Sequence, residues 1–222
     1  MAEWPGDYRR RPPISSPTYA VRAPLAAWLR EEAARRPRPY RVLDVGCGVK
    51  PYYPFFEPSA SEYVGVDVVE NPAADLQGAV ESLPVEDASF DLVLCTQVLE
   101  HCDDPARAVS ELRRVVRPGG RVLASTHGVY PYHPAPVDYW RWTHAGLDRL
   151  FRENADWSSL SVRPSSGTTA CLGMLVAIYA DLLARRVHLA PLGRAVVAAL
   201  EQAADEVRAD EAGPAGDERL HG

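Results

Sequence analysis

Arg41-Val42-Leu43-Asp44-Val45-Gly46-Cys47-Gly48 decides how this chain is read. A short apolar run meets an acid, then a turn with two glycines one residue apart. Glycine has no Cβ, so such a turn can be tight and a ligand can approach its backbone closely. A second apolar run, Tyr63-Val64-Gly65-Val66, ends in a second acid, Asp67. Strand one is predicted over Tyr40 to Val45. It is apolar on both faces, as in a parallel sheet covered by helices on both sides.

Working outward, Tyr19 to Leu29 belongs to a helix predicted over residues 18–35, stopped by Pro37 and Pro39. Beyond the turn, Lys50 to Phe56 can form a short helix, because Pro51 is tolerated in a first turn. Strand two is placed at Glu62–Asp67, a weak third strand at Asp75–Val80, and a fourth at Phe90–Cys95. The clearest helix follows. Asp104 is its N-cap, Pro105 its first position, and Ala108, Val109, Leu112, Val115 and Val116 share one face. Pro118-Gly119-Gly120 should end it before a fifth strand, Arg121–Thr126. A helix over about 143–154, a sixth strand at Trp157–Arg163, and helices over about 168–186 and 192–208 complete the reading. The fold class is α/β: a doubly wound, Rossmann-like, mostly parallel sheet of about six or seven strands, with a helical C-terminal extension. The domain division is an N-terminal arm and helix (1–37), a core (38–165), C-terminal helices (166–208) and a disordered acidic tail (209–222).

Composition narrows the functions. The 222 residues are 46% hydrophobic, an ordinary globular mix. A net charge of -6 argues against a nucleic-acid partner, whose phosphates would be repelled. Lys50 is the single lysine. The four cysteines form no CxxC pair, so neither a disulfide framework nor a metal site is expected. The Pro-rich start is not a signal peptide. The uncharged run from Ser165 to Ala180 is shorter than the ~20 residues that span a bilayer, so no stable membrane insertion is expected. The chain reads as cytoplasmic. The apolar run Ala170–Ala180 is expected as core or as the face of a homodimer built through the C-terminal helices.

In an open α/β sheet, ligands bind outside the carboxyl ends of the strands. Asp44, Asp67, Gln97 and His127 stand at those ends. An acid after strand two can accept both hydroxyls of a ribose. A dinucleotide fingerprint needs a third glycine, and Pro51 stands in its place. Asp44 would repel a pyrophosphate but pair with an ammonium. A cofactor with an amino acid at one end and adenosine at the other satisfies both, and S-adenosyl-L-methionine (SAM) is such a molecule.

Five stretches in order carry a resemblance: Val42 to Gly48; Val64-Gly65-Val66-Asp67; Leu83-Pro84 with Ser89-Phe90-Asp91; Val98-Leu99-Glu100-His101; and Leu112 to Gly120. Over about Tyr40 to Leu150 the chain resembles the class I SAM-dependent methyltransferases, in the branch of small enzymes with Leu-Asp-x-Gly-x-Gly. The resemblance implies a methyltransferase that uses SAM. Asp44 would hold the methionyl amino end, the Gly46 and Gly48 backbone would pass under the cofactor, and Asp67 would take the ribose. Val80 and Leu83 would flank the adenine, and Gln97 would sit near the sulfonium. Ala79 stands where many relatives carry an acid for the adenine amino group, which leaves that contact to backbone or to Glu81.

A methyl on a sulfonium is already activated, so the protein mainly aligns and desolvates the nucleophile. The acceptor side is sought in the sixteen residues from His127 to Trp142, dense in histidine and aromatics. His127 is the first candidate for a base and His133 the second. Tyr130, Tyr132, Asp138 and Trp140 are candidates for binding a small-molecule acceptor through methylation on O or N. Two other functions stay open: an NAD(P)-dependent oxidoreductase on the same fold, and an inactive SAM-binding partner in a hetero-oligomer.

Overall fold

A computed structural model describes residues 4–35, 39–134, 136–186, 195–200 and 202–203. Its centre is a five-stranded parallel sheet in the order β3-β2-β1-β4-β5. The strands are β1 (Tyr40–Val45), β2 (Ala60–Asp67), β3 (Leu76–Gln77), β4 (Phe90–Thr96) and β5 (Val116–Ser125). The helices are α1 (Asp7–Arg10), α2 (Tyr19–Arg35), α3 (Tyr53–Phe56), α4 (Pro105–Val115), α5 (His144–Asn154) and α6 (Thr168–Arg186).

Strand alternation divides the core. Leu43 and Val45 of β1, with Val93 and Cys95 of β4, join one buried cluster that includes Leu112 of α4 and Phe151 of α5. Val42, Leu92 and Leu94 point the other way, into a cluster with Leu25 and Leu29 of α2 and Phe56 of α3. Side chains on a strand alternate in direction, so a run apolar at every position needs cover on both faces. The N-cap of α4 is as expected, with the Asp104 carboxylate accepting the Arg107 N–H at 3.0 Å.

The strand count is lower than the sequence suggests. Residues 157–163 form no strand. Trp157 and Leu160 both pack against the core, and two residues three apart cannot share a face at a period of two. The third strand shrinks to two residues, consistent with the short, Pro72-interrupted crossover before it. At β5 the chain extends directly from α4. Phe90 pairs with Val116 and Leu92 with Arg121, so Arg117 to Gly120 bulge out of the ladder, with Gly119 at φ 78°.

The N-terminal segment is also tighter than expected of an arm. Arg10 is buried and donates to the carbonyls of Trp4, Pro5 and Pro51, the last at 2.6 Å. Trp4 stacks on Tyr53 and donates to the Lys50 carbonyl at 2.9 Å. Residues 4–11 therefore clamp the segment that follows the glycine turn, and they share one compact unit with Leu25–Pro164.

A second unit comprises Pro12–Pro24 and the described residues after Ser165. Its main element, α6, is 19 residues long and apolar enough to cross a membrane by length and composition. Within it Asp181 is buried and pairs with Arg185 at 2.7 Å. Residues 195–200 and 202–203 are helical, part of the helix expected over 192–208. The acidic tail, 209–222, lies outside the described residues.

Candidate active site

The parallel register brings the ends of β1, β2 and β4 to one edge. Val45 pairs with Val66 on one side and with Cys95 on the other. The chain then turns sharply. Gly46 and Cys47 both donate to the Val66 carbonyl, at 2.8 and 3.1 Å. Gly46 is at φ 65°, and a Cβ there would lie 2.3 Å from Val98 Cγ2, so only glycine fits. Gly48 is at φ 51°, and a Cβ built on it meets nothing within 4 Å. Its backbone faces open space, as a cradle for a close-lying ligand requires.

Asp67 stands at the end of β2 beside that cradle. Its Oδ2 accepts the Gly48 N–H at 2.9 Å and the Asn71 side-chain amide at 3.2 Å. Asn71 also donates to the Gly48 carbonyl at 2.6 Å. Sequence reasoning missed Asn71, because a lone Asn in a Pro-interrupted loop carries no pattern.

Asp44 is buried, 2% exposed, and its Oδ2 accepts the Tyr63 hydroxyl at 2.7 Å. Burial pushes its carboxyl up to about 6, against the lowering effects of Tyr63 and of Lys50. Lys50, the single lysine, is buried after the turn at φ 50°, with Nζ 2.5 Å from Asp75 Oδ2. Asp75 in turn accepts the Gly65 N–H at 2.6 Å. Cys47 is buried between the glycines, and its thiol is pushed up to about 12 by burial, which makes it inert rather than nucleophilic.

Gln97 follows β4 at φ 58°. Its N–H and its amide both bond to Ser125, at 2.8 and 3.1 Å, while its Oε1 is buried with no hydrogen-bond partner. Val80 and Leu83, proposed beside the adenine, are 6% and 4% exposed and belong to the core cluster. Glu81 accepts the backbone N–H of Asp103 at 2.8 Å, so its carboxylate is already engaged at the loop before α4.

The acceptor-side segment is closed at its base by the Trp142 N–H, which donates to the His127 carbonyl at 3.0 Å. The N–H groups of Tyr139 and Trp140 bond to the Glu100 carbonyl and pin the loop onto the 3₁₀ turn Leu99–His101. Inside it His127 stacks on Tyr130, ring centroids 4.1 Å apart, and His133 meets both rings edge-on. Glu100 is fully buried, with Oε2 accepting the Thr126 hydroxyl at 2.9 Å and Oε1 3.4 Å from His127 Nε2. Burial raises the Glu100 carboxyl and lowers the His127 imidazole to about 3, each favouring its neutral form.

Of the other residues proposed for the acceptor, Tyr130 joins this cluster. Asp138 is held in an ion pair with Arg141 at 2.5 Å and accepts the His133 backbone N–H at 3.0 Å, so it shapes the loop. Trp140 stacks on Trp142 and donates to the Cys102 carbonyl at 2.8 Å. Tyr132 is 72% exposed and turns to solvent. Glu100 is the main residue that sequence reasoning did not single out for the site. Its place in the Val98-Leu99-Glu100-His101 run was visible, but nothing there signals complete burial against His127.

An acid and a glycine cradle at the carboxyl edge of a parallel sheet define a class: α/β domains that bind a nucleoside-bearing cofactor. Residues 43–124 match the family model described as a methyltransferase domain. Over 105 residues the chain is 38% identical to a malonyl-[acyl-carrier protein] O-methyltransferase of Erwinia pyrifoliae, which covers 43% of this chain and 40% of that protein. It is 36% identical over 104 residues to the uncharacterized methyltransferase YcgJ of Bacillus subtilis, 40% of this chain and 41% of that one. The crystal structure of YcgJ superposes with a TM-score of 0.50 at 26% identity, over 60% of this chain and 67% of that chain. Through residues 43–124 the chain is therefore similar to SAM-dependent methyltransferases, and SAM is the cofactor that this similarity points to. It spans about two fifths of the length of the curated relatives it matches.

Proposed function

We propose that the chain transfers the methyl group of SAM to an oxygen or nitrogen of a small-molecule acceptor. The observation that carries this reading is the cluster of His127, Tyr130 and His133 at the end of β5, next to Gln97 at the end of β4. An aromatic wall with a few polar groups beside a cofactor crevice suits a small organic acceptor. The Erwinia relative is named as an O-methyltransferase, which favours O-methylation here.

The residues fit the cofactor. The open face of Gly48, the acid at Asp67 and the unpartnered Gln97 Oε1 lie along one strand edge. On this reading Asp67 takes the ribose hydroxyls and Gly46 and Gly48 underlie the methionyl part. Asp44 supplies the counter-charge for the ammonium, Gln97 lies near the sulfonium, and Val80 and Leu83 back the adenine from the core. When bound, SAM supplies an electrophilic methyl group. His127 and His133, as neutral imidazoles, accept a hydrogen bond from the acceptor O–H or N–H and orient its lone pair. Tyr130 covers the ring and excludes water.

A turnover assay with purified chain, SAM and a panel of hydroxyl- and amine-bearing acceptors tests the proposal. The expected result is acceptor-dependent formation of S-adenosylhomocysteine, lowered in His127→Ala with SAM binding retained. Turnover equal to wild type in that variant removes His127 from the site. NADH binding in the absence of SAM binding would end the methyltransferase reading.

No nucleic-acid partner remains part of this proposal, supported by the net charge of -6, and so do a cytoplasmic location and no stable membrane insertion. A homodimer is proposed on α6, which presents Leu172, Val176, Tyr179 and Leu183 to solvent along one side at helical spacing. Sedimentation over a concentration series should show a monomer–dimer equilibrium that Val176→Glu shifts to monomer. A monomer at every concentration excludes the pairing.

A further inference from the structure

We propose that Glu100, His127 and His133 bind one divalent transition-metal ion, zinc being the type ion, at the acceptor end of the cofactor crevice. This deepens the proposed function and rests on it for the role of the metal. One carboxylate and two imidazoles are a recurrent donor set for zinc sites that keep an open position for substrate. Here one ligand atom from each residue lies within 4.8 Å of the others. Glu100 Oε1 and His127 Nε2 are 3.4 Å apart, close to the ~3.3 Å that two ligands adopt about one tetrahedral zinc at bond lengths near 2 Å.

Two independent features point to a missing ligand. Glu100 is fully buried, yet its Oε1 has no hydrogen-bond partner, and His133 Nε2 is a second buried atom without one. Two such atoms facing one cluster are costly, and an ion satisfies both at once.

The surroundings hold the ligands in place, as outer groups do in metal centres. Thr126 bonds the far oxygen of Glu100. Tyr130 stacks on His127, and Asp138 fixes the His133 backbone. The nearest cation, Arg141, is paired with Asp138. His101 lies with its ring 5.0 Å from that of His133, and its Nδ1 is bonded to the Val137 carbonyl.

Three protein ligands leave a position for the acceptor, which the imidazoles then hold through the ion rather than by accepting its hydrogen bond. A hydroxyl bound there loses its proton to solvent more readily. Its oxygen then forms the new O–CH₃ bond as the S–CH₃ bond breaks, the electron pair remaining on sulfur.

The test uses the full chain, stripped with a chelator and titrated with Zn²⁺ alone by calorimetry, then with Co²⁺ by visible absorption. One equivalent of Zn²⁺ should bind in the micromolar range or tighter, with the Co²⁺ bands of a four- or five-coordinate site. His133→Ala, at a half-buried position that tolerates truncation, and the isosteric Glu100→Gln should each weaken Zn²⁺ binding by about 10²-fold or more, with wild-type circular dichroism. No saturable Zn²⁺ binding, or unchanged affinity in both variants, overturns the site. SAM titration of the stripped protein separates the two readings. SAM binding with no zinc binding removes only the metal, whereas zinc binding with no SAM binding keeps the metal and removes the methyltransferase assignment.

Discussion

Asp67→Ala should lower the affinity for SAM by about 10²–10³-fold while the melting temperature moves by only a few degrees. The carboxylate stands at the end of β2 with Oδ2 against the Gly48 N–H at 2.9 Å, beside the open face of that glycine. A ribose bound there would place two hydroxyls on one carboxylate, and hydrogen bonds to charged groups contribute about 1.5–3 kcal/mol each. The folded state loses less. Gly48 is partly exposed, so water can take its freed N–H, and Asn71 still donates to the Gly48 carbonyl at 2.6 Å. Asp67→Asn keeps the shape and one acceptor oxygen but removes the charge, and should fall between, at roughly 10-fold. Calorimetric titration with SAM and thermal melts decide the matter. Affinity within threefold of wild type in the alanine variant removes Asp67 from the ribose. A loss of affinity matched by a large fall in melting temperature makes Asp67 a brace for the turn.

The strand-end half of the candidate site was legible because its determinants are local. Asp44, Gly46, Gly48 and Asp67 sit at strand ends, and a parallel strand that is apolar at every position announces where it ends. The α4 helix was legible for the same reason, with cap, apolar face and Pro start inside one short stretch. Two kinds of feature were not. Residues 157–163 read as a strand from composition, yet Trp157 and Leu160 find the core at a spacing no strand provides. The N-terminal arm read as loose because its Pro-rich composition hides one long-range fact, the buried Arg10 guanidinium on the Pro51 carbonyl. On the acceptor side the residue types were visible and their grouping was not. Asp138 and Trp140 were as conspicuous in the sequence as His127, and only the folded loop shows that they brace it while Tyr130 packs on His127 and His133, the two that approach Glu100. Spacing cannot predict such a sorting, since it depends on how an irregular loop is pinned by backbone bonds to Glu100 and His127.

Asp44→Asn should stabilise the protein without cofactor at neutral pH and weaken SAM binding in the same stroke. Burial raises the Asp44 carboxyl from 3.8 to about 6, so the folded chain holds this proton more tightly than the unfolded one. The sign follows. Stability from this group is fully present below about pH 4, falls as pH rises toward 6, and is absent above it, a loss of about 3 kcal/mol at 1.36 kcal/mol per unit. Asparagine removes the buried charge and keeps an oxygen for the Tyr63 hydroxyl, 2.7 Å from Asp44 Oδ2. Denaturant unfolding at pH 7.5 should therefore show a gain on the order of 2–3 kcal/mol over wild type, shrinking toward zero near pH 4. A variant no more stable than wild type at pH 7.5, or with the same advantage at both pH values, contradicts the buried-charge account. Bound SAM changes the balance, because its ammonium would add an opposite charge to that of Lys50 and pull the carboxyl back down. Wild-type affinity for SAM should then fall as pH drops below about 6, where Asp44 takes up its proton, and Asp44→Asn should bind about 10–100-fold more weakly at neutral pH with that pH dependence gone. A carboxylate kept buried at a cost in folding stability is the arrangement expected of a group retained for the ligand rather than for the fold.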